Sequence, residues 1–371
     1  MIEILHKRDC CGCSACVQIC PKQCISFRED EEGFCYPVVD SGCIDCGLCE
    51  RVCPMLNQNE PQTPSQVYAA YNQNLEERTN SSSGGIFILL AKKVIEQNGV
   101  VFGAKWDGPE RVVHDYAEDY DGIKAFQGSK YLQSIIGTSY IDAERFLKQG
   151  RQVLFSGTPC QIAGLKIYLH KDYDNLLTVE VVCHGVPSPG LWRKYLKEKQ
   201  KGREVESISH RHKCTGWHNY SVVIEYSDKS RDAQIHNDNL WIRAFIKNLT
   251  LRPSCFNCAY KYVNSLADIT LGDFWGISSL SPQINADNGV SLVISRSPKG
   301  DVALEEIPKI KGFLLRDIAR FNEALFLSAK ESPSRSVFFE RNKNDSFIDT
   351  ASLLTKPPLS LRIKKAIRRL I

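Results

Sequence analysis

Two cysteine runs near the amino end limit what this chain can fold into more than any other feature. Cys10, Cys13, Cys16 and Cys20 follow the spacing C-x2-C-x2-C-x3-C, with Pro21 directly after. Cys43, Cys46, Cys49 and Cys53 repeat it, again with a proline, Pro54. Three thiolates two residues apart wrap one corner of a metal–sulfur cube, and the proline turn directs the fourth cysteine to the other cube. The spacing predicts one [4Fe–4S] cluster on Cys10, Cys13, Cys16 and Cys53, and a second on Cys43, Cys46, Cys49 and Cys20. Zinc ribbons use two C-x2-C pairs and have no use for the third step or the prolines. Between the runs, CISFRED and FCYPVVD form two short strands around a turn at residues 30–33. Cys11, Cys24 and Cys35 are expected to pack as small buried residues beside the clusters.

Sixteen cysteines in 371 residues, eleven of them within residues 10–53, raise the question of compartment. The start, MIEILHKRDC, has no apolar stretch of the secretory kind, and no run of eighteen apolar residues predicts a spanning helix. A reducing, cytoplasmic setting is expected, in which dense cysteines ligate metal rather than form disulfides. The formal charge is +4, and six basic residues fall within 356–371; without that tail, acidic groups outnumber basic ones. A nucleic-acid binder shows a basic footprint on its folded body, so nucleic acid is excluded as a ligand class.

The fold class expected is α+β, a ferredoxin-like bicluster module over 1–56 followed by a larger mixed α/β domain over 67–330. Residues 57–66, NQNEPQTPSQ, read as a linker. Beyond them, apolar strands at 67–71, 100–106, 152–156, 176–183, 221–226 and 290–296 alternate with helical stretches, which argues for a partly parallel sheet. Ser81, Ser82, Ser83, Gly84 and Gly85 precede an apolar helix. They form either a plain helix cap or a turn whose amides suit a phosphate.

Cys160 begins a helix after a strand and a Gly-Thr-Pro turn, a position that favours thiolate over thiol. Cys183 ends another strand, and Cys255 and Cys258 form a C-x2-C pair. These four either converge on a further cluster or are isolated buried cysteines. In HRHKCTGWHN, alternation puts His210, His212 and Cys214 on one face, with His218 nearby. That fits zinc less well than a basic loop in which Arg211 and Lys213 meet cofactor phosphates or a redox partner. The extension 331–371 ends in LSLRIKKAIRRLI, a basic amphipathic helix suited to an anionic membrane surface, a partner, or its own domain.

With these segments assembled, SSSGG at 81–85, GSKYLQS at 128–134, SGTPCQ at 156–161, CHGVPSP at 183–189, the C-x2-C at 255–258 and ADITLGDFWG at 267–276 resemble the coenzyme F420 hydrogenase/dehydrogenase beta-subunit family. The resemblance implies FAD in the large domain, with Ser83, Gly84, Gly85, Lys130, Gln133, Ser134 and Thr158 as candidates for its site. It also implies a third [4Fe–4S] cluster on Cys160, Cys183, Cys255 and Cys258. His184 would donate a proton beside the flavin or support a neighbour by hydrogen bonding, and Asp273 would shape the pocket or cap a turn. The function implied is an iron–sulfur flavoprotein oxidoreductase acting on an organic substrate or a deazaflavin- or ferredoxin-type carrier. The alternative is a non-catalytic electron-transfer subunit feeding a partner enzyme.

Overall fold

The computed structural model describes residues 1–58 and 66–356. The expected tail helix, and most of the expected linker, lie outside the described residues. Among the described residues no helix is long and apolar enough to cross a membrane.

The amino-terminal module is a small cysteine-rich body built on one antiparallel hairpin, β1 (Ile25–Glu29) and β2 (Cys35–Val39). Asp30 shapes its turn: Oδ1 accepts from the amides of Glu32 and Phe34, each at 3.0 Å. Ile2, Cys16, Cys24, Ile25 and Cys49 form the module's own core.

The body is organised by an eight-stranded mixed sheet in the order β13-β3-β12-β11-β7-β6-β4-β5. Its strands are β3 (Gln66–Ala70), β4 (Val100–Asp107), β5 (Arg111–Ala117), β6 (Val153–Gly157), β7 (Leu176–Val181), β11 (Ile269–Asp273), β12 (Ser291–Ser295) and β13 (Lys309–Gly312). The run β4-β6-β7-β11 is parallel, as its near-continuous apolar sequences require of strands covered on both faces. The flanking pairs are antiparallel. A second, three-stranded antiparallel sheet has the order β10-β9-β8, from β8 (Val205–His212), β9 (Ser221–Tyr226) and β10 (Arg231–Ile235). The mixed α/β architecture and the partly parallel sheet agree with the sequence expectation.

The module is seated in the body rather than hung from it. Phe34, next to the hairpin turn, is fully buried in a core with Trp192, Trp241, Phe338 and Phe347. Gly33 has φ +79°, and a Cβ there would lie 2.5 Å from Gly190 Cα, so glycine is required both by conformation and by contact. Arg335 Nη1 and Nη2 donate to the two Glu32 oxygens at 2.9 and 2.6 Å, while its Nε donates to Leu251 O. Elsewhere Cys11, Cys13, Ala15 and Val52 share a core with Phe102, Tyr140, Phe155 and Ile162 of the sheet domain. The helices Arg335–Asn344 and Phe347–Leu354 pack into the same core as Trp192, so this stretch is part of the body.

Candidate metal centres and the adjoining sheet edge

The two cysteine runs wall two cavities in the module. One is lined by Cys10, Cys13, Cys16 and Cys53 together with Cys11. The other is lined by Cys20, Cys43, Cys46 and Cys49 together with Cys24. The fourth cysteine of each run thus lines the cavity of the other run. The two are nearly equal, about 310 and 320 Å³ counting their open mouths. Backbone amides reach the sulfurs of the outer cavity: Ile2 N donates to Cys49 Sγ at 3.2 Å and Asp45 N to Cys43 Sγ at 3.4 Å.

A third, larger cavity opens at the carboxyl edge of the parallel strands, where open α/β sheets place their ligands. The chain leaves β6 through a Thr158 capping box and starts the helix Pro159–Leu169 with Cys160 in its first turn. It leaves β7 two residues before Cys183. The 3-10 turn Pro253–Asn257 brings in Cys255, with Cys258 just after it. The walls include Cys160, Cys183, Cys255, Cys258 and, from the module, Cys11. Val186 N donates to Cys255 Sγ at 3.4 Å. Lys261 Nζ donates to Cys183 O at 2.6 Å, bringing a cation to the rim.

The helix terminus does not make Cys160 a free thiolate. A hydrogen bond with Cys11, and then burial, push its thiol well above the ordinary range. This corrects the expectation from position alone. Burial likewise raises Cys183 and pushes Cys255 up to about 12. Such thiols ionise against a bound cation rather than by themselves. Among the described residues no three His, Cys, Asp or Glu side chains converge on a point fit for a single metal ion. A cube takes each thiolate on a different iron, so its ligands line a cavity instead of meeting at a point.

The zinc face considered for β8 does not form. β8 carries a register shift between Ser209 and His212 and ends at His212, and Cys214 falls in the 3-10 turn Lys213–Thr215; His210 is buried and Cys214 exposed. His210 sits edge-on to Trp106 and Trp192 and accepts from Tyr131 N through Nδ1 at 2.9 Å. Burial drives its pKa down to about 3. Nor do Arg211 and Lys213 form a free basic loop. Arg211 is ion-paired with Asp273, and Lys213 Nζ donates to the carbonyls of Arg78, Ser83 and Asn288.

The remaining expected site residues fall into two groups. Ser83 and Gly84 are engaged by the protein itself. Ser83 Oγ donates to Val290 O at 2.9 Å, and a Cβ on Gly84 would lie 2.6 Å from Ala70 O and Ser291 N. The packing of β3 against β12 accounts for that glycine, and Gly85 serves as the left-handed N-cap of the helix Ile86–Glu96. The second group is Lys130, Gln133, Ser134 and Thr158, of which Ser134 and Thr158 are linked through Gln161. Ser129 N donates to Ser82 Oγ at 2.6 Å. Ser134 Oγ lies 2.9 Å from His114 Nδ1 and accepts from Gln161 Nε2 at 2.9 Å. Gln161 Oε1 accepts from Thr158 N, and Thr158 Oγ1 lies 3.3 Å from Cys160 Sγ. Lys130 Nζ donates to Ala125 O and Gln127 O, each at 2.9 Å, and burial lowers its pKa to about 7. Gln133 turns the other way, donating to Cys11 O at 3.2 Å.

His184 lines the third cavity, with Nε2 2.6 Å from Asn248 Oδ1. Asp273, besides Arg211, accepts from Trp217 Nε1 at 2.8 Å, so its carboxylate is held by the protein. Sequence reasoning does not single out Cys11, Arg252 or Lys261 as site residues. Nothing in the spacing distinguishes Cys11 from a packing residue, and isolated basic residues carry no motif.

A family model describing the C terminus of the beta subunit of coenzyme F420 hydrogenase/dehydrogenase matches residues 150–319. Over that segment the chain is similar to the coenzyme F420 hydrogenase/dehydrogenase beta-subunit family. The matched segment contains Cys160, Cys183, Cys255 and Cys258, all four body cysteines of the third cavity. An uncharacterised protein of Methanocaldococcus jannaschii is 25% identical over 207 residues, 47% of this chain and 56% of that one. A ferredoxin named for seven irons, from Hydrogenibacillus schlegelii, is 45% identical over 42 residues, 11% of this chain and 49% of that one. The chain thus spans about half the length of the curated relatives it matches. A chain in the F420-reducing [NiFe] hydrogenase complex of Methanosarcina barkeri covers 79% of this chain, and 92% of itself, at 16% identity and a TM-score of 0.44.

Proposed function

We propose that the chain is an iron–sulfur flavoprotein oxidoreductase with three [4Fe–4S] clusters and one FAD. The observation that carries this reading is the succession of three cysteine-walled cavities. Cys16 of the inner cavity and Cys49 of the outer one share the module's core, and Cys11 lines both the inner and the third cavity. The clusters would be held by Cys20, Cys43, Cys46 and Cys49; by Cys10, Cys13, Cys16 and Cys53; and by Cys160, Cys183, Cys255 and Cys258. When bound, clusters supply one-electron transfer and a flavin supplies two-electron exchange, including hydride.

The chain's own residues do the rest. The Thr158–Gln161–Ser134–His114 network fixes the loop beside the third cavity. Lys130, which has no acidic partner within ion-pair distance among the described residues, offers a cation to a diphosphate. His184, held by Asn248, lines the cavity beside Cys183 in sequence. The outer mouth supports a redox protein as partner, because Cys46 and Ile44 are exposed there. That exposure also favours the second reading, an electron-transfer subunit of a larger enzyme. Turnover of a low-molecular-weight acceptor by the isolated chain, beyond artificial dyes, distinguishes the two.

Anaerobic purification with iron, sulfide and flavin measured per chain tests the proposal. About twelve iron and about twelve sulfide are expected for three cubes, with one flavin released by acid. Pale protein with stoichiometric zinc would sink it. Flavin uptake carries its own signature at Lys130. Its amine is protonated below about pH 7 and neutral above, so the pull on a diphosphate fades as pH rises through that value. Binding favours the charged form, so uptake at pH 8 draws in a proton. Lys130→Gln is expected to weaken flavin binding roughly tenfold at pH 6.5, by loss of one partly buried ionic contact, and to abolish proton uptake. Equal affinity and equal proton uptake in parent and variant would remove Lys130 from the site.

A further inference from the structure

The inner cavity holds a charge with no ordinary partner. Arg252 is fully buried, and among the described residues no carboxylate lies within ion-pair distance of it. Its guanidinium is instead spent on the module. Nε donates to Cys10 O at 2.8 Å, Nη2 to Cys35 O at 3.0 Å and to Cys10 Sγ at 3.5 Å, and Nη1 to Gln133 Oε1 at 3.0 Å. The Tyr36 ring lies 4.3 Å away under the cation. Carbonyls and rings solvate a guanidinium but do not neutralise it, and a buried cation without an anion is strongly disfavoured. The groups within reach able to carry net negative charge are cysteines, Cys10 of the inner cavity foremost and Cys11 and Cys255 toward the third after it.

The outer cavity is built otherwise. Its sulfurs receive neutral amides from Ile2 and Asp45, and the charged side chains at its wall, Lys22 and Asp45, are exposed and of opposite sign. Screening by solvent makes such surface charges weak. A fixed cation at a sulfur stabilises the reduced, more negative form of a cluster, and hydrogen bonding and burial are the levers by which proteins set cluster potentials.

We infer that Arg252, reaching from the flavin-family domain into the module, raises the reduction potential of the cluster on Cys10, Cys13, Cys16 and Cys53 above that of the outer cluster. An electron entering at the exposed mouth would then come to rest at the inner position, against the body. Arg252 is in this account a positioning residue, contributed by one domain to tune a centre in the other. The inference rests on the cluster assignment proposed above.

The test is an EPR-monitored redox titration of the full-length chain, purified anaerobically, as parent, Arg252→Gln and Arg252→Lys. The inner signal is assigned by its loss in Cys13→Ser. In Arg252→Gln the inner couple is expected to become harder to reduce by roughly tenfold to a hundredfold in its equilibrium, at about 59 mV per tenfold for one electron, while the outer couple stays put. Arg252→Lys, which keeps a charge but loses the fork that spans Cys10 and Cys35, is expected to shift in the same direction by less. Parent potentials in both variants, with iron content retained, would overturn the inference while leaving the cluster assignment standing. If Arg252→Gln does not retain the inner cluster, Arg252→Met, which keeps an apolar stem and no charge, takes its place, and a parent potential there counts against the inference. A parent chain that holds no clusters at all would overturn the cluster assignment and this inference with it.

Discussion

On the proposed cluster assignment, replacing Cys255 and Cys258 together by serine is expected to remove about four iron atoms per chain and leave about eight. The two residues sit on one short turn, with no strand or helix of the sheet hanging on their thiols, and Sγ to Oγ is nearly isosteric. The body is therefore expected to fold with the module's centres intact. On the proposed reading the flavin should remain, since Lys130 and Ser134 contact neither cysteine, but its reduction by an electron donor acting at the module should slow markedly, because the intermediate centre is gone. Iron analysis and stopped-flow reduction of the flavin read the two effects separately. Unchanged iron content would show that the third cavity holds no cube.

The second large effect is structural. Phe34→Ala removes a fully buried ring from the core it shares with Trp192, Trp241, Phe338 and Phe347, and is expected to cost about 3–5 kcal/mol. Phe34→Leu, which keeps most of the volume, is expected to cost under about 1.5 kcal/mol. Because the ring enters from the module, the loss should appear as undocking: faster amide exchange in the helix Pro189–Gln200 and at Arg335. Anaerobic denaturation followed by tryptophan fluorescence gives the energies. A change below about 1 kcal/mol for the alanine variant would mean the module is not anchored through this residue.

The parts legible in the sequence share one property: their signal is local. The cysteine runs are patterns of spacing, and β4, β6, β7, β9 and β12 are short β-branched or apolar runs bounded by turn residues, so their positions follow from periodicity. The hairpin follows from Asp30 and Gly33 in the same way. What sequence could not show is contact between distant segments. Phe34 reads as an ordinary hairpin residue, and its burial depends on helices more than 150 residues away. Gly84 suggests room for a ligand, whereas a neighbouring strand fills that room. The face read from alternation fails because β8 ends at His212 and Cys214 falls in a 3-10 turn, where a period of two no longer holds. Arg211 and Lys213 look like free charge in the sequence because their partners, Asp273 and three carbonyls, are brought in by the fold. Cys11 reads as a packing residue for the same reason, since Cys160 approaches it only through the docking of the module.

The adjacency of Cys10 and Cys11 has a mechanical consequence. One side chain belongs to the inner chamber and the next reaches the third, so the two chambers are stitched by a single peptide unit, about 3.8 Å from Cα to Cα. Covalent bonds hold that length. The other cysteines of the third cavity, Cys160, Cys183, Cys255 and Cys258, come from the body, so the remaining walls of the two chambers are held together by packing rather than by bonds.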